Sequence, residues 1–165
     1  MDYYLLADMT VQIGYELAVA GAETYRVEET MRRVIEAYGT EGQVFAIPNC
    51  VAVSFVTPNT KPLTIMKRVG YHGNDLERIE KLNALSRRIC AEVPDPETAQ
   101  RWLKETTAAV RSYAVWTYYL GNFMAAAGFC CVFGGTVRDW LWAGLSGLII
   151  GFEGAFNTHN DNRLF

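Results

Sequence analysis

The densest polar cluster in the chain is Gly21-Ala22-Glu23-Thr24-Tyr25-Arg26-Val27-Glu28-Glu29-Thr30. On a helix the steps i, i+3 and i+7 bring Glu23, Arg26 and Thr30 near one face, and Glu29 and Arg33 form a further i, i+4 pair. A guanidinium offers a planar fork of donors that matches a carboxylate. With acids beside it, Arg26 can hold the carboxylate of a small substrate or an acid on a partner helix. The competing reading is a solvated helix face with surface ion pairs, each contributing little. A hydrolase would have to recruit Glu23 and Asp75 as carboxylates and Ser54 as nucleophile, but no histidine has an evident partner for such work. No helical HExxH, phosphate-binding Walker loop or GxSxG turn occurs. Cys50, Cys90, Cys130 and Cys131 form no CxxC pair, and His72 and His159 are isolated, so neither a disulfide framework nor a metal site is expected. No cofactor is expected.

The elements that must position this cluster read as an α+β domain over residues 1–111. Leu5, Met9, Ile13 and Leu17 recur every four residues and predict a helix over Tyr3–Ala20, broken by Gly21. Val27, Met31, Val34, Ile35 and Tyr38 predict a second helix from about Ala22 to Tyr38, ended by Gly39. Gln43–Ile47, Cys50–Thr57 and Leu63–Val69 then read as a three-stranded antiparallel meander, with turns at Pro48-Asn49 and at Pro58-Asn59-Thr60-Lys61-Pro62. The middle strand is apolar at nearly every position, which predicts cover on both faces or a packed interface. Asn74-Asp75 opens a third helix, with Leu76, Ile79, Leu82, Leu85 and Ile89 on one side, and Gly70-Tyr71-His72-Gly73 is the loop before it. Asp95-Pro96-Glu97 opens a fourth, packed through Ala99, Trp102, Leu103 and Val110, which can run straight into the apolar stretch beyond it.

That apolar stretch, Ser112–Val137, lies between Arg111 and Arg138 and holds no charged residue. About 20 apolar helical residues cross a hydrocarbon core roughly 30 Å thick. Trp116, Tyr118 and Tyr119 stand near its start, where such rings favour the water–lipid boundary. A second run, Trp140–Phe152, reaches spanning length only if Thr136–Asp139 and Glu153–Phe156 serve as its ends. The two runs predict a transmembrane hairpin over residues 112–156, turning at Phe133-Gly134-Gly135-Thr136. Residues 157–165 form a polar tail. The alternatives are a buried hairpin in a soluble helical protein, or an interfacial second helix.

With 165 residues and a formal net charge of −3, the chain has room for one small domain and a membrane piece, and it carries no basic tract of the kind nucleic acid selects. The N-terminus lacks the basic start and cleavage site of a signal peptide. Arg101, Lys104 and Arg111 precede the first apolar run within the window of the positive-inside rule, which predicts a cytoplasmic N-terminal domain.

The run AGAETYRVEETMRRVIEAYG resembles the opening signature of the threonine/serine exporter family, which includes bacterial dicarboxylate exporters. A VFAIPNCVAVSF strand pair, then RVGYHGNDLERIEKLNALSRRI, PETAQRWLKE and an apolar run ending FGG come next in the family's order, so the resemblance covers about Tyr3 to Phe156. It implies a protein of the bacterial inner membrane, a transporter and not an enzyme, that exports threonine/serine-type amino acids or dicarboxylates on an ion gradient. Candidates for substrate binding or coupling are then Glu23, Thr24, Arg26, Glu28, Arg68 and Asp75. Candidates for membrane packing are Gly121, Ala125, Gly128, Gly134, Gly135, Asp139, Gly147 and Gly151. The implied partners are the lipid bilayer, a small-molecule substrate, a complementary membrane half and further copies in a homo- or hetero-oligomer. The family's N-terminal half continues through more spans, and residues 157–165 resemble the loop that leads to the next one. The chain is therefore expected to be a truncated N-terminal half or one piece of a split system, or else a regulatory module that docks on a transporter half.

Overall fold

The computed structural model describes residues 2–57, 62–111 and 114–161, the stretch 155–161 as backbone only. The turn expected at Pro58-Asn59-Thr60-Lys61-Pro62 falls outside the described residues except for Pro62, as do Ser112 and the end of the polar tail. The chain divides into two compact units, Met1–Val110 and Arg111–Phe165.

The first unit is built on α1 (Tyr3–Val19), which starts where the Asp2 carboxylate accepts the backbone N–H groups of Tyr4 and Leu5 at 2.9 and 3.1 Å. This helix is apolar on nearly every side and is correspondingly buried: Leu6, Met9, Ile13 and Leu17 are all closed to solvent. Its one buried carboxylate, Glu16, accepts from Gln12 at 2.8 Å and from the Arg78 guanidinium. Gly21, at φ 88°, reverses the chain, and the next helix, α2 (Thr24–Ala37), packs Val27, Met31, Val34 and Ile35 back on α1.

Strands β1 (Gly42–Ile47), β2 (Cys50–Val56) and β3 (Pro62–Arg68) form an antiparallel meander in sequence order, in the register Val44–Val53–Ile65 and Phe45–Ala52–Met66. Pro62 stands at the first position of an edge strand, where a missing N–H breaks no central ladder. Val51, Val53 and Phe55 point into the core, while Phe45 and Met66 on the other face are exposed. Of the two alternatives expected for β2, cover on both faces within the first unit is thereby corrected. A single helical layer covers one side of the sheet, so burial along β2 alternates.

Helix α3 (Leu76–Glu92) is capped by Asp75, which accepts from Arg78 N at 2.9 Å, and buries Leu82, Leu85 and Ile89. Helix α4 (Pro96–Ala108) is capped by Asp95, which accepts from Thr98 N at 2.9 Å and is held below the usual carboxylate range by that bond. The Arg88 guanidinium lies 3.7 Å from the Trp102 ring and ties the two helices together. Helix α4 stops at Ala108 and does not continue into the apolar run.

The second unit holds α5 (Val115–Val132) and α6 (Val137–Asp161). They join at Gly134, φ 78°, where Gly135 N donates to Cys130 O at 2.9 Å. Thr136 and Asp139 then start α6: the Asp139 carboxylate accepts from Thr136 N at 2.8 Å and from its hydroxyl at 2.7 Å. The expected fold class, an α+β cytoplasmic domain followed by a transmembrane hairpin, is corrected here. The described structure has six helices and one three-stranded sheet, and α5 alone among the described helices is long and apolar enough to cross a membrane. Helix α6 is longer, but its uncharged apolar run from Trp140 to Phe152 rises only about 20 Å. Arg138, Asp139 and Glu153 flank that run, so the polar ends do not extend it to a crossing.

Candidate functional site

Helix α2 turns its apolar stripe towards α1, which leaves Arg26, Glu29 and Arg33 on a side that faces α3. On α3 the same geometry leaves Asn83, Ser86, Arg87 and Cys90 beside the buried stripe. Between the two helices lies an open groove of about 790 Å³, within the range of small-molecule sites. Tyr25 stands at one end and Glu36 also lines it. Its walls come from the two sequence blocks AGAETYRVEETMRRVIEAYG and RVGYHGNDLERIEKLNALSRRI, with Cys90 and Ala91 just beyond the second.

Three guanidinium groups line this groove, and they differ in how they are occupied. Arg33 is paired with Glu29 at 2.6 Å. Arg26 Nε lies 3.6 Å from a Glu23 oxygen and donates to the Tyr25 hydroxyl at 3.2 Å, with both members of the ion pair mostly exposed. The Tyr25 hydroxyl, and then Glu23, hold Arg26 still more firmly in its charged form. Arg87 is exposed and has no hydrogen-bond or ion-pair partner among the described residues. The Cys90 thiol is pushed up by burial, which keeps it protonated and makes it a poor nucleophile or metal ligand. Tyr38 closes the lower end of α2: its hydroxyl donates to Pro94 O at 2.6 Å, and burial raises its pKa to about 12.

The six sequence candidates are not gathered in one place. Glu23 and Thr24 are exposed at the start of α2, beside a smaller hollow of about 310 Å³ that His72 and Pro48 also line. Arg26 lines the groove. Glu28 is turned to the sheet, where its carboxylate accepts the Ala46 N–H at 2.9 Å. Arg68 is exposed at the end of β3, in register with Cys50. Asp75 caps α3. Ser54 sits mid-strand in β2, 2.8 Å from the Thr64 hydroxyl, and the acids named with it for hydrolysis serve elsewhere as a helix-start residue and a cap.

Sequence reading missed Asn83, Ser86 and Arg87 as groove residues, although their spacing with Cys90 is that of one helix face. It also missed the Glu16–Arg78 pair, whose members stand 62 positions apart and leave no local pattern.

In the second unit, Gly147 and Gly151 lie buried at the α5–α6 seam, where an added Cβ on Gly147 would overlap Asn122 O and the Ala126 methyl. Gly144 packs on the Phe123 ring in the same way. Gly121, Ala125 and Gly128 face away and are exposed. Gly134, Gly135 and Asp139 build the turn.

Residues 8–161 match the sequence profile of a family described as "Putative threonine/serine exporter". The chain belongs to the threonine/serine exporter family. It is 26% identical over 146 residues to the "Probable threonine/serine exporter" of Mycobacterium tuberculosis (strain ATCC 25618 / H37Rv), an alignment covering 87% of this chain and 27% of that relative. The exporter chain thus spans about a quarter of the length of the curated relative it matches. No solved structure matches it. The family is described as one of exporters, so membership implies a membrane transport role.

Proposed function

We propose that this exporter chain takes part in the efflux of threonine/serine-type amino acids and works with a complementary membrane half. The observation that carries the reading is the extent of the family match, which runs from α1 through α5 into α6 and so includes both compact units. The name of the mycobacterial relative supports the substrate class. The first unit faces the cytoplasm in this reading, because Arg101, Lys104 and Arg111 lie just before α5.

Within that unit Arg26 presents a forked donor for a carboxylate, on the substrate or on the facing half. Its ion pair with Glu23 is exposed on both sides, so little of the fold depends on it. Arg26→Ala is expected to leave expression and melting nearly unchanged and to reduce efflux. The test is export of labelled amino acids and dicarboxylates from cells carrying this chain with and without the complementary half. Wild-type efflux in Arg26→Ala would remove the proposed role, and loss of the folded protein would make the cluster structural. Efflux of dicarboxylates in place of threonine and serine would replace the proposed substrate.

A further inference from the structure

Among the described residues of the first unit, nothing covers the outer face of the sheet. The register sets the outward side chains in three rows across the strands: Gln43–Ser54–Thr64, Phe45–Ala52–Met66 and Ile47–Cys50–Arg68. Phe45 is 56% exposed, Met66 68% and Ile47 42%, and Val56, beyond the first row, is 63% exposed. A sheet face turned to water is ordinarily polar. Here Arg68 is the only charged side chain among the described residues of the face. The Ser54 and Thr64 hydroxyls, 2.8 Å apart, are bonded to each other.

We propose that this face binds the same face of a second copy of the chain, with the two-fold axis running along the strands. Such an axis lays β1 of one copy over β3 of the other and β2 over β2, and it keeps every row opposite itself. Phe45 then meets Met66 of the second copy, a ring against a thioether, on each side of two small Ala52 side chains. Gln43 meets Thr64, amide to hydroxyl. Ile47 meets the aliphatic stem of Arg68, whose guanidinium reaches water at the edge of the sheet. The two Arg68 side chains lie at opposite edges, so like charges do not confront each other. A two-fold across the strands instead sets Gln43 on Ile47 and Thr64 on Arg68, which pairs polar groups with unlike neighbours. The chemistry of the rows therefore selects the first axis. The face offers no acid to a basic partner, and its polar row has no place in lipid. Three strands about 4.8 Å apart, and up to seven residues long, give two copies on the order of 1,000 Å² to bury, near the lower limit of a specific interface. Copies confined to one membrane meet at raised effective concentration, which offsets the small area.

The test uses the full chain, in detergent and in membranes. Light scattering is expected to give a dimer. Aligned sheets pack about 10 Å apart, so the two Cys50 thiols face each other within reach of a short bifunctional thiol reagent. A cross-linked dimer is expected, and Cys50→Ser is expected to remove the cross-link without removing the dimer. Phe45→Glu and Met66→Lys are each expected to weaken association at least tenfold. Both substitutions in one chain set opposite charges across the two-fold and are expected to restore it. Phe45 and Met66 are exposed, so all variants should melt like the wild type, and the comparison is made on folded protein. A monomeric wild type, the lack of any cross-link that depends on Cys50, a dimer indifferent to Phe45→Glu, or a double variant no better than the single ones would each overturn the proposal. So would a Phe45→Glu chain that keeps its dimer but loses the complementary half or vesicles of anionic lipid, because the face would then belong to that partner. None of these readouts uses efflux, so the transport reading and the sheet interface stand or fall separately.

Discussion

Arg26 and Glu28 are two positions apart on α2 and face different neighbours. Helical spacing marked Arg26 as a candidate for a substrate site, and the family resemblance added Glu28. The i, i+3 contact of Arg26 with Glu23 was legible because both residues lie on one turn of helix. The bond from Glu28 to Ala46 N–H was not, because it joins a helix to a strand 18 positions away. Glu28→Ala is expected to leave that N–H without its partner and to cost about 1–3 kcal/mol, read as a lower denaturation midpoint. An unchanged midpoint would mean that water replaces the carboxylate at no cost. Arg87 shows the opposite limit: nothing in its own turn of helix distinguishes it, and only the groove built with α2 sets it apart.

At the scale of elements, apolar periodicity and caps placed the helices and strands of the first unit to within a residue or two, apart from the end of α4, while α5 and α6 differ from the expected runs by more. Where the reading failed, the cause was in how elements cover one another. The apolar β2 sequence was read as buried on both faces or at a packed interface, but among the described residues of the first unit helices cover one face only. The polar ends of α6 were read as part of a crossing, but they remain the ends of a 13-residue apolar run, Trp140–Phe152. The link between α1 and α2 is more exacting than either helix. Gly21 has φ 88°, and an added Cβ would overlap the Gly73 carbonyl, in the loop whose Gly73 and Asp75 N–H groups bond Val19 O and Ala20 O at 2.6 and 2.9 Å. Gly21→Ala is expected to cost roughly 2–4 kcal/mol, from left-handed strain plus this overlap. Gly39→Ala, at φ 67° with open space around it, is expected to cost only the strain, about 1–2 kcal/mol. Equal losses in thermal melts of the two variants would show that the Gly73 contact contributes nothing.

For the whole molecule, membership of an exporter family and the exposed apolar helix α5 concern the same property. No residue of α5 is buried by the protein itself. The chain is expected to sediment with membranes and to require detergent for release. Ala125 lies on the face of α5 away from α6, so Ala125→Arg adds a charge mid-helix without disturbing the seam. A central arginine costs about 2.5–3.5 kcal/mol on insertion scales, and the variant should shift towards the soluble or aggregated fraction. Equal membrane recovery of both proteins would show that α5 is not the anchoring element.

The burial of α1 on nearly all sides also sets a schedule for biosynthesis. Its neighbours are α2, the sheet, α3 and α4, and Leu103 of α4 is among the side chains that close the core. At about 5–20 residues per second, the ribosome takes on the order of 5–20 s to get from α1 to α4. Throughout that interval one of the most apolar segments of the first unit is incompletely covered. Helix α5 emerges almost immediately afterwards. The closing of the core over α1 and the emergence of the apolar α5 are therefore expected to fall close together in time.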